Sequence, residues 1–167
     1  MSAPGTTSAL LIQTPLGYLR AEATNTHILR IEFPHPSLEA TRSHPQNESN
    51  ALTRLEQELR EYFAGKRKYF TVPIREPSGT SFQQQAWRTL NSIPYGKTIS
   101  YQEQAVRMGN PRAIRAVGSA NAANPLPLLI PCHRVIRRDG SHGGYAGGEK
   151  LKRSLLDLEQ GLSRCNS

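Results

Sequence analysis

The chain has 167 residues, 37% of them hydrophobic, which suits one generous domain or two small ones with a modest packed core. Its two cysteines, Cys132 and Cys165, exclude a disulfide framework and a four-cysteine zinc site, so Cys132 is expected to be a free thiol. A formal charge of +8 calls for an anionic partner without separating nucleic acid from a membrane surface. Residues 1–80 hold 9 Lys/Arg against 8 Asp/Glu, whereas residues 81–167 hold 12 against 5, so anion binding is expected in the second half. No stretch approaches the ~18 consecutive apolar residues of a membrane span. Met1–Ala9 lacks the basic and apolar regions of a signal peptide, and the expectation is a cytoplasmic protein with no membrane association.

Along the chain, Ala9–Gln13, Gly17–Ala23 and His27–Phe33 are short runs of β-formers, with Thr14-Pro15-Leu16-Gly17 as a turn, and together they predict a small antiparallel sheet. Residues 34–50, with three prolines and no apolar period, read as an exposed loop. Leu52, Leu55, Leu59, Tyr62 and Phe63 then recur at helical spacing up to Gly65, predicting an amphipathic helix that covers the sheet. Lys66-Arg67-Lys68 beside its end reads as a solvated cluster favourable to the helix dipole. The segment 75–79 is the best boundary. It divides the chain into an N-terminal α+β domain, 1–78, and a mostly helical C-terminal domain, 79–167.

The second domain opens with a capping box, Thr80 with Gln83, and a helix carrying Phe82, Ala86, Trp87 and Leu90. After the break at Ile93-Pro94-Tyr95-Gly96, Ser100 caps a short helix with Tyr101, Ala105 and Met108 on one face. Gly109-Asn110-Pro111 stops it, and a further helix is expected over 112–122 with Ile114 and Val117 inward, Arg112, Arg115 and Ser119 outward, and Ala113, Ala116 and Ala120 as a small flank. Two short helices joined by a Gly-bearing turn predict a helix-turn-helix. Asn124–Pro131 is proline-punctuated and apolar, an extended buried segment leading into Cys132. Five glycines between Arg138 and Gly148 predict a loop whose backbone approaches a ligand closely, and Leu151, Leu155, Leu158 and Leu162 predict a final amphipathic helix. The fold class is α+β.

The chemistry centres on Ile130-Pro131-Cys132-His133-Arg134-Val135. A thiol flanked by an imidazole and a guanidinium is expected to have a lowered pKa and a raised thiolate fraction, the setting of a reactive nucleophile. Cys165, near the end of the sequence, is expected to be a free exposed thiol or a disordered-tail residue rather than a participant. The second helix of the pair is lined with alanine and lacks the long polar side chains that helix-turn-helix proteins use to read sequence in the major groove.

Pro131-Cys132-His133-Arg134-Val135 resembles the active-site signature of the O6-alkylguanine-DNA alkyltransferases, also called methylated-DNA–protein-cysteine methyltransferases. The resemblance takes in Gly79-Thr80-Ser81-Phe82-Gln83, Ile93-Pro94-Tyr95-Gly96, Ser100-Tyr101, Arg115-Ala116-Val117-Gly118, Asn124-Pro125 and Gly144-Tyr145-Ala146-Gly147-Gly148, and so spans essentially all of 79–161. Thr14-Pro15-Leu16-Gly17 and Glu61-Tyr62-Phe63-Ala64-Gly65 extend it to the N-terminal half.

The resemblance implies DNA repair by direct reversal: an alkyl group passes irreversibly from O6 of guanine to Cys132 in a single turnover, with O4-alkylthymine left open as a second substrate. Cys132, His133 and Glu159 would be catalytic, His133 accepting the thiol proton through a water and Glu159 orienting the imidazole. Tyr101 would serve N3 of the flipped base, the carbonyls of Cys132 and Val135 its exocyclic amine, and the Ala146 N–H its O6, with Tyr145 in the same substrate-binding loop. Asn124 matches the family's hinge asparagine. Arg115 matches the arginine that fills the stack after base flipping, while Ala113 and Ala116 allow close approach to the minor groove and Arg112 and Lys97 supply phosphate contacts. Ser119 stands on this DNA-facing helix where many relatives have glycine. The partner implied is double-stranded DNA bearing O6-alkylguanine, met by a monomer, with clustering on DNA left open. No cofactor and no metal are implied. A non-catalytic alkylguanine-binding relative is the alternative, and Cys132 argues against it; a transcription regulator would need sequence-reading side chains that are missing.

Overall fold

The computed structural model describes residues 6–33 and 49–162. All but the last two residues of the expected loop 34–50, and Cys165, lie outside them. The chain divides into two compact units, the first running to Glu76 and the second beginning at Pro77.

In the first unit, β1 (Ser8–Thr14), β2 (Gly17–Ala23) and β3 (Ile28–Glu32) form an antiparallel sheet in the order β1-β2-β3. The register runs from Ser8 opposite Ala23 to Thr14 opposite Gly17, so the β1–β2 connection is a tight turn at Pro15 and Leu16. Thr14 Oγ1 closes it, donating to the Gly17 carbonyl at 2.6 Å and accepting from Leu16 N at 3.2 Å. The helix α1 (Asn50–Phe63) packs on β1 and β2. Leu52, Leu55, Leu59 and Tyr62 on the helix and Ile12, Leu19, Ala21 and Ile31 on the sheet are all buried. Ser49 caps it, accepting from Leu52 N and donating to the Thr24 carbonyl, which ties the helix start to the end of β2.

The second unit is an assembly of helices with one minimal sheet. In α2 (Ser81–Asn91) the expected capping box forms in both directions between Thr80 and Gln83. The helices α3 (Tyr101–Arg107) and α4 (Ile114–Ala122) pack on α2 around Ala86, Ala105, Met108, Val117 and Ala120, and the Trp87 indole N–H reaches the Ala120 carbonyl at 2.9 Å. β4 (Ile99–Ser100) and β5 (Val135–Ile136) pair in parallel, Ile99 opposite Val135, and α5 (Glu149–Glu159) closes the unit.

Three local expectations need correction. The second helix of the helix-turn-helix begins at Ile114 rather than 112, because Asn110–Ala113 forms a turn, and Ile114 at the helix start is 40% exposed instead of inward. The segment 124–131 is buried and not helical but folds back on itself. Leu128 has a positive φ of 73°, a conformation a leucine adopts only when its surroundings hold it there, and Ile130 N donates to the Leu126 carbonyl. The last helix stops at Glu159, with Gly161 at φ 71°, so Leu162 lies beyond it and is exposed. Among the described residues no helix is long and apolar enough to cross a membrane.

Candidate active site

Cys132 opens a single 3-10 turn, Cys132–Arg134, between the folded-back segment and β5. Pro131, at φ −82° and ψ 66°, makes an inverse γ-turn in which Cys132 N donates to the Ile130 carbonyl at 2.8 Å. Asn124, just past the end of α4, braces this segment from within: its Nδ2 donates to the Ile130 carbonyl at 2.8 Å and its Oδ1 accepts from Leu126 N at 2.9 Å. The helix-turn-helix and the cysteine turn are thereby held together by one side chain.

A small pocket opens at Cys132, lined by Tyr101 from α3, Gly118, Asn121 and Ala122 from α4, and Gly144, Tyr145 and Ala146 from the glycine-bearing loop. The loop runs close to Tyr101. A Cβ placed on Gly143, whose φ is 73°, would lie 2.9 Å from the Tyr101 hydroxyl, so glycine is required there.

Behind the pocket the next two residues of the signature both engage Glu159. His133 is fully buried, and its Nε2 lies 2.7 Å from Glu159 Oε1 on α5. Arg134 grips the same carboxylate with two donors, Nε to Oε2 at 2.9 Å and a terminal nitrogen to Oε1 at 3.0 Å, while its other terminal nitrogen donates to the Ile93 carbonyl at 2.8 Å. This corrects the expectation that imidazole and guanidinium together lower the cysteine pKa: the guanidinium is committed to Glu159. Burial pushes the Cys132 thiol up, opposed by a hydrogen bond from Asn124 and by the nearby charge of Lys152. Burial likewise holds the His133 imidazole below its ordinary range, against the pull of Glu159. Burial by itself would raise the Glu159 carboxyl, but hydrogen bonds and charge from His133 and Arg134 bring it down to about 2. With Glu159 ionised and accepting at Nε2, the neutral imidazole carries its proton there. His133 Nδ1 is left as a buried acceptor with no partner among the described residues.

Lys152 is the functional residue that sequence reasoning passed over. It is fully buried, donates to the Val135 carbonyl at 2.6 Å, stands 3.4 Å from the Tyr101 hydroxyl, and lies over the rings of Tyr101 and Tyr145. Burial lowers its pKa to about 8, opposed by the proximity of Cys132. Its position three residues before Leu155, on the apolar stripe of α5, was the available signal. Tyr101 is held as a phenol, its pKa raised by burial and then by Cys132.

Of the thirteen site residues expected, Cys132, Tyr101, Tyr145 and Ala146 meet at the pocket. Asn124, His133 and Glu159 stand behind it, and the Val135 carbonyl is engaged by Lys152. Arg112, Arg115, Ala116 and Ser119 are exposed on α4 or just before it and Ala113 is half-buried, and none of the five lines the pocket.

A buried thiol at the foot of a pocket walled by a helix-turn-helix fits a cysteine-dependent transferase that works on DNA. Comparison with known proteins agrees. The family described as "6-O-methylguanine DNA methyltransferase, DNA binding domain" matches residues 81–161, and "6-O-methylguanine DNA methyltransferase, ribonuclease-like domain" matches residues 9–75. The constitutive methylated-DNA–protein-cysteine methyltransferase of Bacillus subtilis is 40% identical over 153 residues, covering 89% of this chain and 92% of its own. Two crystal structures from Mycobacterium tuberculosis superpose closely: OGT in complex with DNA, with a TM-score of 0.81, 38% identity and 92% of each chain covered, and O6-methylguanine methyltransferase, with a TM-score of 0.80, 35% identity and 96% and 97% covered. The chain belongs to the 6-O-methylguanine DNA methyltransferase family.

Proposed function

We propose that the protein repairs alkylated DNA by direct reversal, Cys132 taking the alkyl group from O6 of guanine in one irreversible step. The thiolate sulfur attacks the alkyl carbon, the C–O6 bond breaks with its electron pair going to the base, and guanine is left in the DNA while the sulfur becomes a thioether. A thioether has no leaving path, so each molecule acts once.

The observation that carries this reading is the buried thiol at a pocket whose neighbouring imidazole has one nitrogen fixed on Glu159 and the other unengaged. His133 Nδ1 accepts the thiol proton through a bridging water, Lys152 and Asn124 favour the developing thiolate, and the Tyr101 phenol donates to N3 of the departing base. The base reaches the pocket by flipping out of the duplex. Ala113 and Ala116 then allow α4 close to the minor groove, Arg115 fills the vacated stack, and Arg112 supplies a phosphate contact. The second unit carries the chemistry, the protein acts as a cytoplasmic monomer, and residues 1–78 form a separate domain.

Intact-mass measurement after incubation with a duplex carrying O6-methylguanine tests the proposal. The protein gains one methyl group and Cys132→Ala gains none. No gain, with lesion binding retained, would overturn transfer in favour of recognition alone.

A further inference from the structure

The α2–α3–α4 core is built from small apolar side chains, yet two carboxamides are buried in it. Gln104 of α3 and Asn121 of α4 hydrogen-bond reciprocally, Gln104 Nε2 to Asn121 Oδ1 at 2.9 Å and Asn121 Nδ2 to Gln104 Oε1 at 2.8 Å. Gln104 Nε2 also donates to the Ala86 carbonyl of α2 at 3.3 Å. Packing alone does not call for this pair, since Ala105, Met108, Val117 and Ala120 fill the same core with apolar groups.

Its position relative to the pocket is what gives it a use. Gln104 follows Tyr101 by three residues on α3, and Asn121 follows Gly118 by three on α4, so each partner lies on the same side of its helix as a pocket residue. Asn121 itself lines the pocket. The pair therefore fixes the spacing between the two helices that supply Tyr101 on one hand and Gly118, Asn121 and Ala122 on the other. The two helices are near neighbours there, since a Cβ on Gly118 would come into ordinary contact with the Tyr101 ring at 4.0 Å. The cavity volume is about 20 Å³, little more than a single water needs.

Resting on the alkyl-transfer reading above, we propose that the Gln104–Asn121 pair is a specificity determinant that limits the transferred group to small alkyls, methyl and ethyl, and discriminates against bulky apolar groups such as benzyl. A larger group makes room only by parting α3 from α4 or swinging Asn121 aside. Either movement breaks two buried hydrogen bonds and leaves carboxamides unsatisfied in apolar surroundings. A small alkyl needs neither movement.

The test is a single-turnover competition between duplexes carrying O6-methylguanine and O6-benzylguanine, read as the ratio of the two rates. Gln104→Leu combined with Asn121→Ala removes both amides together and raises the benzyl-to-methyl ratio by about tenfold or more. Exchanging the two residues, Gln104→Asn with Asn121→Gln, keeps a paired wall and leaves the ratio within about threefold of the parent. Asn121→Ser, which shortens the side chain with less disturbance to the core, gives a smaller rise in the same direction. An unchanged ratio in both the apolar double variant and Asn121→Ser overturns the proposal; if the double variant does not fold, Asn121→Ser alone decides. Binding of the two duplexes to Cys132→Ala gives the same discrimination without transfer, so a failure of the alkyl-transfer reading and a failure of the size limit are separate results.

Discussion

Each unit of this protein buries one glutamate against arginine, and the two glutamates do different things. Glu58, on α1, accepts from Thr71 N at 2.8 Å, Thr71 Oγ1 at 2.7 Å, Val72 N at 3.2 Å and Arg54 Nε at 3.1 Å, with Arg67 3.9 Å away. Burial would raise its pKa, but these bonds, Thr71 first, hold it below its ordinary value. Every group it is seen to accept from is a donor that keeps its proton, so Glu58 is a clasp fastening the segment after α1 to the helix. Glu159 is gripped as firmly by Arg134, but it also bonds an imidazole that titrates and has a second nitrogen to offer. On the reading proposed above, a buried carboxylate becomes a catalytic support when one of its donors has a further proton-transfer position; otherwise it only stabilises the fold.

That contrast can be broken by experiment. Glu159→Gln keeps the shape but removes the anion that fixes His133, and methyl transfer is expected to fall by about 100-fold in single-turnover kinetics. A rate within twofold or so of the parent would place Glu159 with Glu58. Glu58→Gln is expected to lower unfolding free energy by about 2 kcal/mol in urea titrations, with the transfer rate per folded molecule unchanged; a large loss of rate would mean the clasp reaches the chemistry.

Lys152 sharpens the comparison as a buried cation with no carboxylate bonded to it among the described residues. Its folded pKa is lowered to about 8 from an ordinary 10.5, so folding favours its neutral form. The cost of burying the charge is full below about 8 and lifts as pH rises towards 10.5. Relative to Lys152→Met, the parent is expected to gain about 1 kcal/mol of stability across that window, allowing for solvent screening. Parallel stability curves for the two would refute it. Smallest of all, Thr80→Ala removes an exposed cap at the start of α2 and is expected to cost about half a kcal/mol, visible as a slight lowering of the thermal midpoint without loss of transfer.

Much of this was legible in the chain. Period-two runs with a Thr-Pro-Leu-Gly turn mark the hairpin, the leucine stripe marks α1, and Thr80 with Gln83 marks the start of α2, because these signals are local: each depends on side chains within a few residues of one another. The Pro131–Val135 signature marks the nucleophile for the same reason. Less legible was the direction in which each neighbour points. Adjacency placed His133 and Arg134 beside the thiol, yet the 3-10 turn sends the guanidinium to α5, 25 residues away in sequence. The turn at Leu128 within a proline-punctuated segment is likewise set by tertiary contacts, since no leucine prefers that backbone on its own.

The sequence by itself determined the order and type of the main elements, the family resemblance and the candidate nucleophilic cysteine, since periodicity, capping and a contiguous motif need no knowledge of distant residues. Only the tertiary structure decided the state of that cysteine. Burial, Lys152 from the buried face of α5, Asn124 from the end of α4 and the Gln104–Asn121 pair all act on the pocket from remote positions in the chain. Electrostatics and packing depend on distance through space, which spacing along a sequence does not record.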